Sequence, residues 1–96
     1  MQNEFSVVGK LLQYKKTSIS DYVQFYEMIA DISENDTPNL VQFEVWKKEL
    51  VLRLRQNMFK HNEKIKINFV IKGFFYHKKN LYYNKFRATD MLPYKA

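Results

Sequence analysis

Hydrophobic and polar positions alternate along most of this chain. From 5 to 16, Phe5, Val7, Gly9 and Leu11 alternate with Ser6, Val8, Lys10 and Leu12, the period of a β-strand. Gly9 in mid-strand predicts a bulge or a sharp bend. After a polar turn at 17–21, residues 22–32 read as a second strand, with Tyr26, Met28, Ala30 and Ile32 on one face. Phe25, Glu27, Ile29 and Asp31 form the other face, and its carboxylates place it outside. The run 33–38 is dense in turn formers. Residues 40–46 predict a third strand, with Val41, Phe43 and Val45 inward and Gln42, Glu44 and Trp46 outward. The period then changes. Over 47–61, Leu50, Val51, Leu54 and Met58 recur at helical spacing, with no capping residue to mark the start. Strict alternation returns at 64–76, where Ile65, Ile67, Phe69 and Ile71 oppose Lys64, Lys66, Asn68 and Lys72. A short turn, His77-Lys78-Lys79-Asn80, leads into a fifth strand at 81–91.

Composition bounds what these elements can build. The 96 residues suffice for one domain, 1–96, with a single modest core. A hydrophobic content of 46% and an aromatic content of 17% exclude a disordered chain. No window approaches the roughly 18 apolar residues of a membrane span. No basic-then-apolar leader is visible at the N-terminus. The absence of cysteine excludes disulfides, thiolate metal sites and thiol catalysis, and a cytoplasmic location is expected. Charge is strongly divided. Residues 1–49 carry five basic and eight acidic side chains, whereas residues 50–96 carry eleven basic and two acidic. The C-terminal half is therefore the expected contact surface for a polyanion.

The stretch 73–87 concentrates this chemistry, with Phe or Tyr at 74, 75, 76, 82, 83 and 86 interleaved with Lys78, Lys79, Lys85 and Arg87. Bases stack on rings and phosphates pair with cations, so such a stretch suits a single-stranded nucleic acid. Consecutive strand residues point to opposite faces. About half of these rings are therefore expected in the core and half on the surface, unless the hairpin projects. The surface half could equally build a homodimer interface. Trp46 is either a stacking platform beside Lys47 and Lys48 or a ring folded over the barrel end against the helix. Phe25 is a second platform, or a core residue if the register slips by one. The candidate nucleic-acid contacts are Phe25, Trp46, Phe74, Tyr76 and Tyr83, with Lys10, Lys15, Lys16, Lys47, Lys72, Lys78, Lys79, Lys85 and Arg87. Glu27, Asp31 and Glu44 on the outer face of strands two and three would repel phosphate. The strand would then run over strands one, four and five, or the carboxylates would accept hydrogen bonds from bases. Neither His61 nor His77 has an orienting carboxylate, and His61 with Glu63 lacks a third ligand. No phosphate-cradling loop or nucleophile motif occurs. Catalysis, a cofactor and a metal are accordingly not expected.

Three strands, a helix and two strands is the order of the OB-fold, an all-β five-stranded Greek-key barrel with one helix between strands three and four. Local residues extend the likeness. Phe43-Glu44-Val45-Trp46, then a helix, then Lys64-Ile65-Lys66-Ile67-Asn68-Phe69, then Leu81 through Ala88, resembles a family of small stand-alone OB-fold proteins. That family has no assigned biochemical role and is related to single-stranded-DNA-binding proteins. Phe43, Glu44, Trp46, Tyr83, Arg87 and Ala88 stand at its marked positions, and Gly9-Lys10 matches its first-strand Gly-Lys. The chain departs from it at Asn62-Glu63, where the family has Gly, and at Lys72-Gly73-Phe74, where it has Ser-Arg-Glu. A family Trp in strand two corresponds to Tyr22 or Phe25. The resemblance implies the fold more firmly than the function, since an OB barrel can hold oligonucleotides, oligosaccharides or proteins. With the basic, ring-rich stretch, the expected function is non-enzymatic single-stranded-DNA binding in replication, repair or recombination, with RNA as the other nucleic acid. The alternative is an OB-fold protein-interaction module using the 73–87 hairpin. A homodimer is the favoured assembly, and no membrane or small-molecule substrate is expected.

Overall fold

The computed structural model describes residues 3–18, 20 and 24–95. Five strands, β1 (Glu4–Ser18), β2 (Gln24–Asp31), β3 (Leu40–Val45), β4 (Lys64–Tyr76) and β5 (Leu81–Pro93), close into a barrel in the order β1-β2-β3-β5-β4. The helix α1 (Lys48–Arg55) lies between β3 and β4. This is the five-stranded OB-fold barrel. Tyr22, in the expected start of the second strand, lies outside the described residues.

β1 closes the barrel by serving two neighbours. Its first half pairs with β4 through Lys10↔Lys64, and its second half pairs with β2 from Lys10↔Asp31 onward. Gly9 stands at this handover. A Cβ there would lie 3.0 Å from the Ile32 side chain and 3.1 Å from the Asp31 carbonyl oxygen. The glycine thus permits close approach of β2. The bulge expected at Gly9 falls instead at Leu12, where the β1–β2 register shifts between Leu11 and Gln13. The loop before β4 fills that irregularity: the Leu11 N–H donates to Glu63 O (3.0 Å) and the Asn62 N–H donates to Leu11 O (2.6 Å). The His61 ring nitrogen Nδ1 sits 2.6 Å from Leu12 O, as a donor to that carbonyl.

Alternation fills the interior. Leu11, Met28, Ala30, Phe43, Val45, Ile65, Ile67, Ala88 and Met91 are all buried. Leu50 and Leu54 of α1 pack into the same core. Arg53 fastens the helix to β5, donating to Met91 O at 2.8 Å. The helix is shorter than the 47–61 expected. Asn57 takes a left-handed conformation (φ 54°). Its N–H reaches Leu54 O at 3.0 Å, and the Met58 N–H reaches Arg53 O at 3.0 Å. This pair of bonds is the Schellman termination, in which asparagine can replace glycine. Because the chain turns there, Met58 is exposed and Phe59 takes the core position the periodicity assigned to Met58.

The β4–β5 ladder runs to Tyr76↔Leu81, whereas β1 covers β4 only as far as Val70. Beyond that point β4 and β5 form a two-stranded arm. Every residue from Gly73 to Lys85 in it is exposed. The expectation that half of its rings are core therefore fails, because the hairpin projects instead of closing the barrel. A short 3₁₀ turn, His77–Lys79, makes the tip, closed by Asn80 in the left-handed region (φ 51°).

Candidate nucleic-acid interface

A row of outward residues crosses the sheet beside the arm: Lys15 opposes Glu27, Glu27 opposes Glu44, and Glu44 lies beside Arg87. Glu44 is 6% exposed and organises the row. Its carboxylate accepts from Trp46 Nε1 at 3.1 Å and Lys85 Nζ at 3.1 Å, and lies 3.5 Å from an Arg87 guanidinium nitrogen. Burial pushes the Glu44 carboxyl up. The Trp46 hydrogen bond, the Lys85 bond and charge, and the Arg87 charge outweigh it and hold the carboxyl below its usual range. Glu27 accepts from Thr17 Oγ1 at 2.7 Å and from the Gln42 amide. Asp31 accepts the N–H groups of Asn39 and Ser33, each at 3.0 Å, and these bonds lower its pKa. All three carboxylates feared as repulsive are thus engaged inside the chain, and the most buried one is balanced by two cations.

Phe25 lies on the outer face, as the alternation places it, yet only 6% of it is exposed. Trp46 covers it, with ring centroids 4.2 Å apart and planes 8° from parallel. The Arg87 guanidinium stands over the indole at 4.9 Å. Both rings are therefore tied into the protein. Phe25 is not an open platform, and one face of Trp46 is taken by Phe25. The indole thus lies on Phe25 of β2, neither a fully free stacking surface nor a ring shown against the helix.

The open rings are on the arm. Phe74 stacks on Tyr83 (5.2 Å, 16°) on one face, with Lys85 Nζ 5.9 Å from the Phe74 centroid. On the other face Phe75 packs against Tyr82 (4.7 Å) and edge-on against His77 (4.6 Å). Tyr76 pairs with Leu81 near the tip, and both are exposed. Lys72 and Lys85 face each other directly across the ladder. Like charges in that position are destabilising, and the Glu44 carboxylate on Lys85 offsets part of this. Lys78 and Lys79 crown the tip. From Lys64 to Thr89 the chain has no acidic residue.

Between the root of the arm and the β2–β3 surface runs a groove of about 520 Å³, lined by Phe25, Glu27, Leu40, Gln42, Glu44, Tyr83, Asn84 and Lys85 among others. It exists because β3 and β5 pair only at Phe43↔Phe86 and Glu44↔Arg87, then diverge. The structure thus brings Trp46, Phe74, Tyr76, Tyr83, Lys72, Lys78, Lys79, Lys85 and Arg87 to one strip. Lys15 borders it through Glu27. Lys16 pairs with Tyr26 on the next rung, and Lys47 is exposed just before α1. Lys10 is elsewhere: it lines a separate depression with Asp31, Glu34 and Asp36. Phe75, Tyr82 and Asn84 were not among the expected contacts, because an alternating pattern assigns them to the inward face. The missing signal was strand length, since thirteen residues in β4 outrun what β1 can cover.

No protein-family model matches the chain, and no curated protein matches it in sequence. Solved structures do match in shape. The mitochondrial single-stranded DNA-binding protein Rim1 of S. cerevisiae superposes with a TM-score of 0.77 at 9% identity, covering 99% of this chain and 98% of that one. A small single-stranded DNA-binding protein from Mycoplasma pneumoniae gives 0.61 at 12% identity, covering 100% and 97%. One from Streptomyces coelicolor gives 0.59 at 9% identity, covering 96% and 94%. At these identities the likeness establishes the fold.

Proposed function

We propose that this OB-fold protein binds single-stranded DNA without catalysing a reaction. The observation that carries the reading is the arm: exposed rings on both faces, interleaved with Lys72, Lys78, Lys79 and Lys85, and no carboxylate between Glu63 and Asp90. Rings take bases by stacking and lysines take phosphates, a combination indifferent to base sequence. The groove at the root of the arm gives the strand a path past Arg87 toward Trp46. The whole-chain match to three single-stranded DNA-binding proteins supports the same reading. A role in replication, repair or recombination follows from that ligand, and the cysteine-free composition fits a reducing cytoplasm.

A second reading, an arm that joins two copies of the chain, is favoured by one feature: the ribbon leaves both faces uncovered. Its lysines oppose it, since two arms brought together would set like charges against each other. Low-salt binding of single-stranded DNA, duplex and RNA of equal length tests the proposal. Retention of the single strand with loss of the duplex is expected. Equal binding of both would mean that charge alone acts. Light scattering over a range of concentrations tests the second reading, which expects a dimer.

A further inference from the structure

Gly73 occupies the middle of β4, where the strand leaves the barrel. A glycine inside a strand weakens it, and commonly answers to a bulge, a tight bend or the close approach of a ligand. The β4–β5 register runs without a shift from Phe69↔Ala88 to Tyr76↔Leu81. Neither glycine has a positive φ. Packing does not demand the residue either. A Cβ at Gly73 would meet only Asn84 Oδ1, at an ordinary 3.6 Å, in contrast to the crowded Gly9. Neither a bulge, nor a positive φ, nor crowding at the Cβ position requires a glycine here.

Its surroundings suggest what does. On the same face, the rung toward the barrel is Ile71↔Phe86 and the rung toward the tip is Phe75↔Tyr82. Same-face neighbours stand about 7 Å apart along a strand. The missing side chain therefore opens a gap bordered by rings, with room for a flat ring system over the backbone. Opposite Gly73, the exposed Asn84 amide has no hydrogen-bond partner among the described residues. Asn84 also borders the groove at the root of the arm.

We infer that the Gly73–Asn84 rung is a nucleobase slot: one base lies over the glycine backbone against Phe75 and Tyr82, and its edge hydrogen-bonds the Asn84 amide. An amide offers a donor and an acceptor side by side, the pattern that base edges complement. The lysines Lys72 and Lys85, next to the rung on the opposite face, make the occupant part of a polyanion. The inference deepens the proposed function and rests on it.

The test measures binding of fluorescein-labelled oligo-dT to the wild type, G73V and N84A, with thermal melts of each. Valine suits an exposed strand better than glycine, so G73V is expected to melt at or above the wild-type temperature. It is expected to bind about tenfold or more weakly, the scale of one lost base stack. N84A is expected to weaken binding less. The salt dependence of both variants stays that of the wild type, because no phosphate contact is removed. G73V binding like the wild type overturns the slot, as does a G73V that melts lower, which would make the glycine structural. A wild type that binds no single-stranded DNA overturns the proposed function itself, and the slot with it.

Discussion

Glu44 shows how a residue's neighbours invert its apparent role. On the strand pattern it is a surface carboxylate, hostile to phosphate. In the fold it joins Trp46, Lys85 and Arg87 into one unit. Because its pKa is lower folded than unfolded, it stabilises the fold above the unfolded value of about 4.3, and that contribution is lost as pH falls through the lower folded value. Asp31, lowered by its bonds from Asn39 and Ser33, acts in the same direction. Thermal melts from about pH 7 to about pH 3 are expected to show Tm falling on the acid side. E44Q should melt lower near neutrality and converge on the wild type in acid. Parallel curves for the two proteins would show that the Glu44 charge contributes nothing. Phe25 makes the complementary point. Its ring is buried under Trp46, so Phe25→Ala is expected to cost about 3 kcal/mol in chemical denaturation.

Each element divides into parts that hold the fold and parts that do not. In α1, Leu54 is buried while Leu52 is exposed. Leu54→Ala should cost about 3 kcal/mol and Leu52→Ala under about 0.5 kcal/mol by denaturant titration. β4 and β5 divide along their length. Their barrel halves carry Ile65, Ile67, Ala88 and Met91, all buried, whereas the rings of their outer halves, Phe74, Phe75, Tyr76, Tyr82 and Tyr83, are all exposed. Tyr82, 83% exposed, can change to Ser within about 0.5 kcal/mol of wild-type stability. The same change should weaken oligo-dT binding about fivefold or more, as removal of a stacking surface does. Unchanged affinity would move the strand off that face of the arm. The helix end was legible in hindsight at Asn57, which tolerates the left-handed conformation, but the apolar run through Met58 and Phe59 masked it.

Across the whole molecule, charge and shape point to one side. The basic C-terminal half supplies β4, the tip and β5, so Lys72, Lys78, Lys79 and Lys85 gather along the arm, and Lys85 with Arg87 balances Glu44 of the acidic half. If a single strand lies on the arm, each phosphate neutralised should contribute about 0.7 to the slope of log affinity against log salt. Four arm lysines would then give a slope of about −3, measured by titration over a range of salt concentrations. Lys72→Gln with Lys85→Gln should reduce that slope by roughly 1.4. A slope near zero would mean that the lysines touch no phosphate.

The amino-acid sequence by itself determined the barrel. Period-two and period-3.6 patterns depend only on which side chains must leave water, and that is a property of neighbours along the chain. It therefore carried the element order and most of the core, from Leu11 and Met28 through Ile65 and Ile67. It also marked the basic, ring-rich stretch at 73–87. What it could not decide was which outward positions are free. That depends on how far one strand reaches along another: β1 stops covering β4 at Val70, so both faces of the next stretch stay open, including rings that alternation sent inward. It depends equally on contacts between distant strands, which placed Trp46 on Phe25 and two cations on Glu44. Burial is a sum over neighbours in space, and only the closed barrel defines those neighbours.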